Sequence, residues 1–126
     1  MNAMLATIEE EGVRTDGDCF PVAANALLTA PAGSVLVHGE VQHSLFPALR
    51  YAHAWVEVPM DIDGCEFWVV LDNSNGEERS VAQALYYLIG RVVDHPGKLQ
   101  RYSLPEATRK MCEHKHFGPW DLDVEL

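Results

Sequence analysis

Cysteine is scarce in this chain: Cys19, Cys65 and Cys112 are the only three, an odd number with no paired spacing. Such a set makes no disulfide framework and fits buried or reactive thiols in a reducing compartment. Long apolar runs are lacking too, since none approaches the ~20 residues that span a bilayer as a helix. Residues 1–11 have neither a basic start nor a long apolar stretch, so no secretory signal is expected and a cytoplasmic location is. Cations are the third shortage. Nine Lys and Arg face 19 Asp and Glu, a formal net charge of −10. A surface of that sign repels phosphate backbones and anionic lipid heads, which argues against nucleic acid or membrane as partner. Internal repeats and low-complexity segments are missing as well.

What is present is enough for one compact domain over residues 1–126, with 48% hydrophobic residues to build its core. Residues 3–11 have the pattern of a short amphipathic helix ending at Gly12. A turn-like stretch, 14–18, precedes a second helix over 20–28, with Asp18 as N-cap, Pro21 in the first turn, and Pro31 and Gly33 as the stop. Residues 34–42 alternate, with Val35, Val37 and Val41 on one side, and predict a strand. Two more strands are predicted over 51–60 and 65–72, joined by a turn at 61–64, and the second ends in a turn at 73–76. Val81, Leu85, Leu88, Ile89 and Val92 fall at helical spacing and predict a helix over 81–93, ended by His95-Pro96-Gly97. A short edge strand at 99–103, a last helix at 105–115 and a coil from Phe117 complete an α+β domain.

Three residues stand out chemically. Cys19 lies where a loop gives way to a helix, so the positive end of the helix dipole and the free N–H groups favour thiolate and can stabilise an oxyanion. His53 shares a strand face with Trp55 and Glu57, while Ala54, Val56 and Val58 take the other. Asp72 ends an apolar run on the face that carries Glu66, Trp68 and Val70. A four-residue turn at 61–64 pairs Met60 with Cys65 and sets His53 directly opposite Asp72. A two-residue turn leaves them diagonal on one face, and a three-residue turn separates them. A carboxylate facing an imidazole holds its tautomer and stabilises imidazolium.

These residues also carry a resemblance. Gly17-Asp18-Cys19-Phe20 with Ala23 and Leu27, a Val-rich strand with Gly39, then His53-Ala54-Trp55-Val56-Glu57-Val58 and Trp68-Val69-Val70-Leu71-Asp72, resemble the transglutaminase-like core of the papain-like cysteine protease superfamily. The resemblance covers roughly residues 12–76. It implies a nucleophile helix packed on an antiparallel sheet with additional C-terminal helices, and a Cys19, His53, Asp72 triad. Peptidases, amidases, acyltransferases and crosslinking transglutaminases share that fold, so it does not name one reaction. Where the family often continues Asp-Pro-Thr after the acid, this chain has Asn73-Ser74, and no Gln precedes Cys19. The oxyanion would then rely on backbone N–H groups with Thr15 or Tyr51.

The expected function is cysteine-dependent hydrolysis or transfer of an amide, isopeptide or ester acyl group on a peptide or protein substrate, without cofactor or metal. The alternative is a binding module that kept the fold and lost catalysis. Glu57 can replace Asp72 as the orienting acid, because it shares the His53 face. Cys112, His114 and His116 form a C-x-H-x-H cluster with no matching half-site for structural zinc. His38 falls on the less apolar side of its strand, where it can border the cleft, but exposure to solvent is expected.

Overall fold

The computed structural model describes residues 19–43, 45–46, 48–73 and 79–123. The helix expected at 3–11, the Asp18 cap and Thr15 lie outside these residues. Along the described chain run α1 (Cys19–Thr29), β1 (Val35–Gln42), β2 (Arg50–Ile62), β3 (Cys65–Asp72), β4 (Arg79–Ala82), α2 (Gln83–Ile89), β5 (Leu99–Tyr102) and α3 (Leu104–His114). The five strands form one antiparallel sheet in the order β4-β3-β2-β1-β5. Three helices and a five-stranded sheet make a small α+β domain, the class expected from the pattern of helix and strand runs.

The period-two alternation of β1 and β2 splits the sheet into two apolar layers. On one side Leu36, Ala54, Val56 and Val58 pack under α1 through Phe20, Ala23 and Leu27, and Ala107 of α3 joins them. On the other, Val37, Val41, Trp55, Val70 and Leu99 are covered by Tyr86 and Tyr87 of α2. Gly39 makes the second layer possible, because a Cβ there would come within 2.7 Å of the Trp55 ring and 2.8 Å of Leu99. α3 begins with a capping box: Ser103 Oγ accepts from the Glu106 N–H, and the Glu106 carboxylate accepts from the Ser103 N–H.

Two expectations need correction. The predicted helix at 81–93 is a strand followed by a seven-residue helix. Val81 pairs with Val70, so β4 covers part of the β3 edge before α2 begins at Gln83. The helical stripe that suggested a buried face, Leu85, Leu88 and Ile89, is exposed, and the two tyrosines point inward instead. Helix spacing identified a helix but named the wrong face. The second correction concerns the hairpin. Its turn is the two residues Asp63 and Gly64, both with positive φ (53° and 82°), and Ile62 pairs with Cys65. Asp-Gly is the pair that a tight turn of this hand requires, and Asp61 Oδ1 accepts the Gly64 N–H at 2.9 Å to close it.

Candidate active site

The hairpin register decides how His53 and Asp72 meet. Val56 stands opposite Leu71. One residue further, the same register sets Asp72 across from Trp55, diagonal to His53 rather than facing it. Diagonal neighbours on one face have Cα atoms ~7–8 Å apart, a gap that a histidine and an aspartate close between them. His53 Nε2 and Asp72 Oδ2 are 3.0 Å apart, with both residues buried. The acid holds this position from three sides. It ends β3, its backbone pairs with Arg79 of β4, and the Tyr86 hydroxyl donates to Oδ2 at 2.7 Å.

Tyr86 is a member of the site that the sequence reading missed. Its only sequence signal is a Tyr86-Tyr87 pair in a helix whose other large residues are aliphatic, and that signal becomes readable only once α2 is known to cover the β3 end. Burial, then the neighbouring Asp72 carboxylate, push the Tyr86 hydroxyl far above its ordinary range, so it serves as a proton-holding donor.

With Nε2 committed to Asp72, Nδ1 is the ring nitrogen open to the thiol. Nδ1 is buried and makes no hydrogen bond of good geometry. After Asp72, Cys19 is the neighbour that raises the ring's pKa. A catalytic contact that is loose before substrate arrives commonly tightens in the complex. Burial opposes the charged imidazole, but Asp72 and then Cys19 outweigh it and lift His53 from 6.5 to about 9. At neutral pH the ring is therefore imidazolium. Cys19, the first residue of α1, is itself fully buried among Phe20, Leu36 and Ala54.

The other candidates fall elsewhere. Glu57 is buried and engaged away from His53. It accepts from Trp55 Nε1 at 3.0 Å, from Gln83 Nε2 at 2.8 Å and from the Tyr87 hydroxyl, with Arg101 3.6 Å away. It anchors Trp55, whose ring lies 6.0 Å from the imidazole. Tyr51 lies edge-on to His53 at 5.7 Å. Cys65 and Cys112 are exposed. The His114 and His116 rings are 5.8 Å apart, and among the described residues no three His, Cys, Asp or Glu side chains group as metal ligands.

His38 corrects the expectation of exposure: it is fully buried among the rings of Phe20, Tyr102 and Trp120, and neither ring nitrogen has a partner among the described residues. The segment around Gly118 lies against it so closely that a Cβ would overlap the ring. Strand parity placed His38 on the correct face, but the segment that covers it is irregular and leaves no periodic signal. Among the described residues, no helix is long and apolar enough to cross a membrane. No protein-family model, curated protein or solved structure matches the chain.

Proposed function

We propose that this chain is a cysteine-dependent acyl-transfer enzyme of the transglutaminase-like, papain-like kind, acting on an amide, isopeptide or ester carbonyl of a peptide or protein. The observation that carries the reading is one buried imidazole with an acid at 3.0 Å on Nε2, in a domain whose buried Cys19 starts a helix. An acid on one nitrogen fixes the tautomer and leaves the other to exchange a proton with the nucleophile.

In the reaction, Cys19 sulfur attacks the carbonyl carbon and the carbonyl electrons move to oxygen. Backbone N–H groups at the start of α1 suit that oxyanion. Collapse expels the amine or alcohol, which takes its proton from His53, and leaves a Cys19 thioester. Neutral His53 then removes a proton from water or an acceptor amine as it attacks the thioester. The acyl group leaves with the new nucleophile, and Cys19 departs as thiolate beside the restored imidazolium. Asp72 steadies the charge on the ring throughout.

A second reading, a binding module without catalysis, draws on the complete burial of Cys19. One experiment separates the two. Incubation with p-nitrophenyl acetate should release nitrophenol in a burst and leave an acetyl group that peptide mass mapping assigns to Cys19. Cys19→Ala and His53→Ala should each abolish the burst. Acetylation confined to exposed Cys65 and Cys112, with no dependence on His53, would sink the enzymatic reading in favour of the second.

A further inference from the structure

Beyond the core, β2 and β3 continue as a two-stranded arm. β1 takes up its pairing with β2 at Glu57, so 58–62 have no partner on that side among the described residues. β4 pairs with β3 only from Val69 onward, so 65–68 form a free edge among the described residues. The two faces of the arm differ in chemistry. The register places Met60 opposite Phe67 and Ile62 opposite Cys65 on one face, all exposed and mostly apolar. The other face carries Pro59 opposite Trp68 and Asp61 opposite Glu66. Trp68 is 38% exposed, a large area of indole to leave in water. A groove of about 320 Å³ is lined by Pro59, Met60, Asp61, Glu66, Phe67 and Trp68.

Asp61 and Glu66 are the feature that selects an occupant. Carboxylates directly opposite each other across a strand pair repel. Among the described residues no Lys, Arg or His forms an ion pair with either acid. Asp61 Oδ1 accepts one backbone N–H, and among the described residues its other oxygen has no such bond. A guanidinium or ammonium set between the acids relieves the repulsion, and its aliphatic stem or planar head can lie on the Trp68 ring.

We propose that the free edge of β3 from Cys65 to Trp68 is the docking site for an extended segment of a partner protein in which basic and apolar residues alternate. Added as a further strand, such a segment satisfies the open backbone groups of the edge. Its period-two alternation sends basic side chains to the Asp61, Glu66 and Trp68 face and apolar ones to the Met60, Ile62 and Phe67 face. The net charge of −10 draws the segment in. The arm lies roughly 20 Å along β2 from His53 at ~3.3 Å per residue, so docking there is separate from the acyl-transfer site and does not depend on it.

The test uses the full chain carrying Cys19→Ala, so that catalysis plays no part. Three labelled peptides are compared by fluorescence anisotropy: alternating Arg-Leu, the same residues in an Arg block and a Leu block, and alternating Glu-Leu. The alternating basic peptide should bind, the block peptide about tenfold more weakly, and the acidic peptide not detectably. Glu66→Gln and Trp68→Ala should each weaken binding about fivefold, with Glu113→Gln, an exposed acid on α3, within about twofold. In the parent chain, the Trp68 indole N–H resonance should shift on binding while that of buried Trp55 stays put, a readout that needs no substitution in the arm. Equal affinity for the block and alternating peptides, equal effects of Glu66→Gln and Glu113→Gln, or an unmoved Trp68 resonance would each overturn the proposal.

Discussion

Two buried acids share one face of the sheet near the imidazole, and their partners separate their roles. Asp72 receives His53 Nε2 and the Tyr86 hydroxyl on one oxygen, while Glu57 receives Trp55, Gln83 and Tyr87. Asp72→Ala should therefore cost roughly 10²-fold in turnover. That is less than the ~10⁴ of a serine triad, because a thiolate needs less help from its base. Glu57→Gln should stay within about tenfold in turnover but lower stability by about 1–3 kcal/mol, since an amide N–H₂ replaces an acceptor among buried donors. Rates of Cys19 acylation against pH and thermal melts together check both. The falling limb expected near pH 9, where the imidazolium loses its proton, should move to lower pH in Asp72→Asn and stay in place in Glu57→Gln. A large rate loss for Glu57→Gln with little for Asp72→Asn or Asp72→Ala would transfer the orienting role to Glu57.

At the scale of the elements, the site depends on how β1 lets β2 carry its aromatic face. Gly39 pairs with His53 on one side and with Leu99 on the other, and its missing side chain leaves room for the Trp55 ring. Trp55 in turn packs against Tyr86, which bonds Asp72. Gly39→Ala should thus destabilise the fold by about 1–3 kcal/mol through overpacking. Because the displaced ring lies beside His53, the variant should also slow Cys19 acylation at temperatures where it remains folded. Urea unfolding followed by a rate measurement on the folded protein checks this, and an unchanged unfolding midpoint would exclude the packing argument. The hairpin makes a similar point about register. Asp63-Gly64 closes it two residues tighter than a 61–64 turn would, yet the shift is by an even number and keeps His53 and Asp72 on one face.

Over the whole molecule, two buried histidines tie stability to pH in opposite directions. Burial depresses His38 from 6.5 to about 3, only partly offset by Asp121. The unfolded chain takes up a proton that the folded one refuses, so this contribution is complete above pH 6.5 and is lost as pH falls toward 3. His53 is raised to about 9, so its contribution is complete below pH 6.5 and is lost as pH rises through 9. Each limb has a slope of about 1.4 kcal/mol per pH unit. Unfolding free energies measured across pH should peak near pH 6.5. His38→Phe, which keeps an aromatic ring among Phe20, Tyr102 and Trp120, should flatten the acid limb alone, and His53→Gln the alkaline limb alone. An acid limb unchanged in His38→Phe would exclude His38 as its source.

Local patterns determined a good deal of this protein without any structure. Period two marked β1, β2 and β3, and with them the shared face of His53, Trp55 and Glu57. Pro31 and Gly33 marked the end of α1. These signals are legible because each depends on neighbours within a few residues in the chain. The tertiary structure alone decided the rest. It turned the tyrosines of α2 inward and left Leu85, Leu88 and Ile89 in water, paired Val81 with Val70, placed Tyr86 on Asp72, and buried His38 beneath a segment 80 residues later in the chain. Each of these outcomes depends on which surface arrives from a distant part of the chain, and hydrophobic burial sets no direction in sequence by which that could be read in advance.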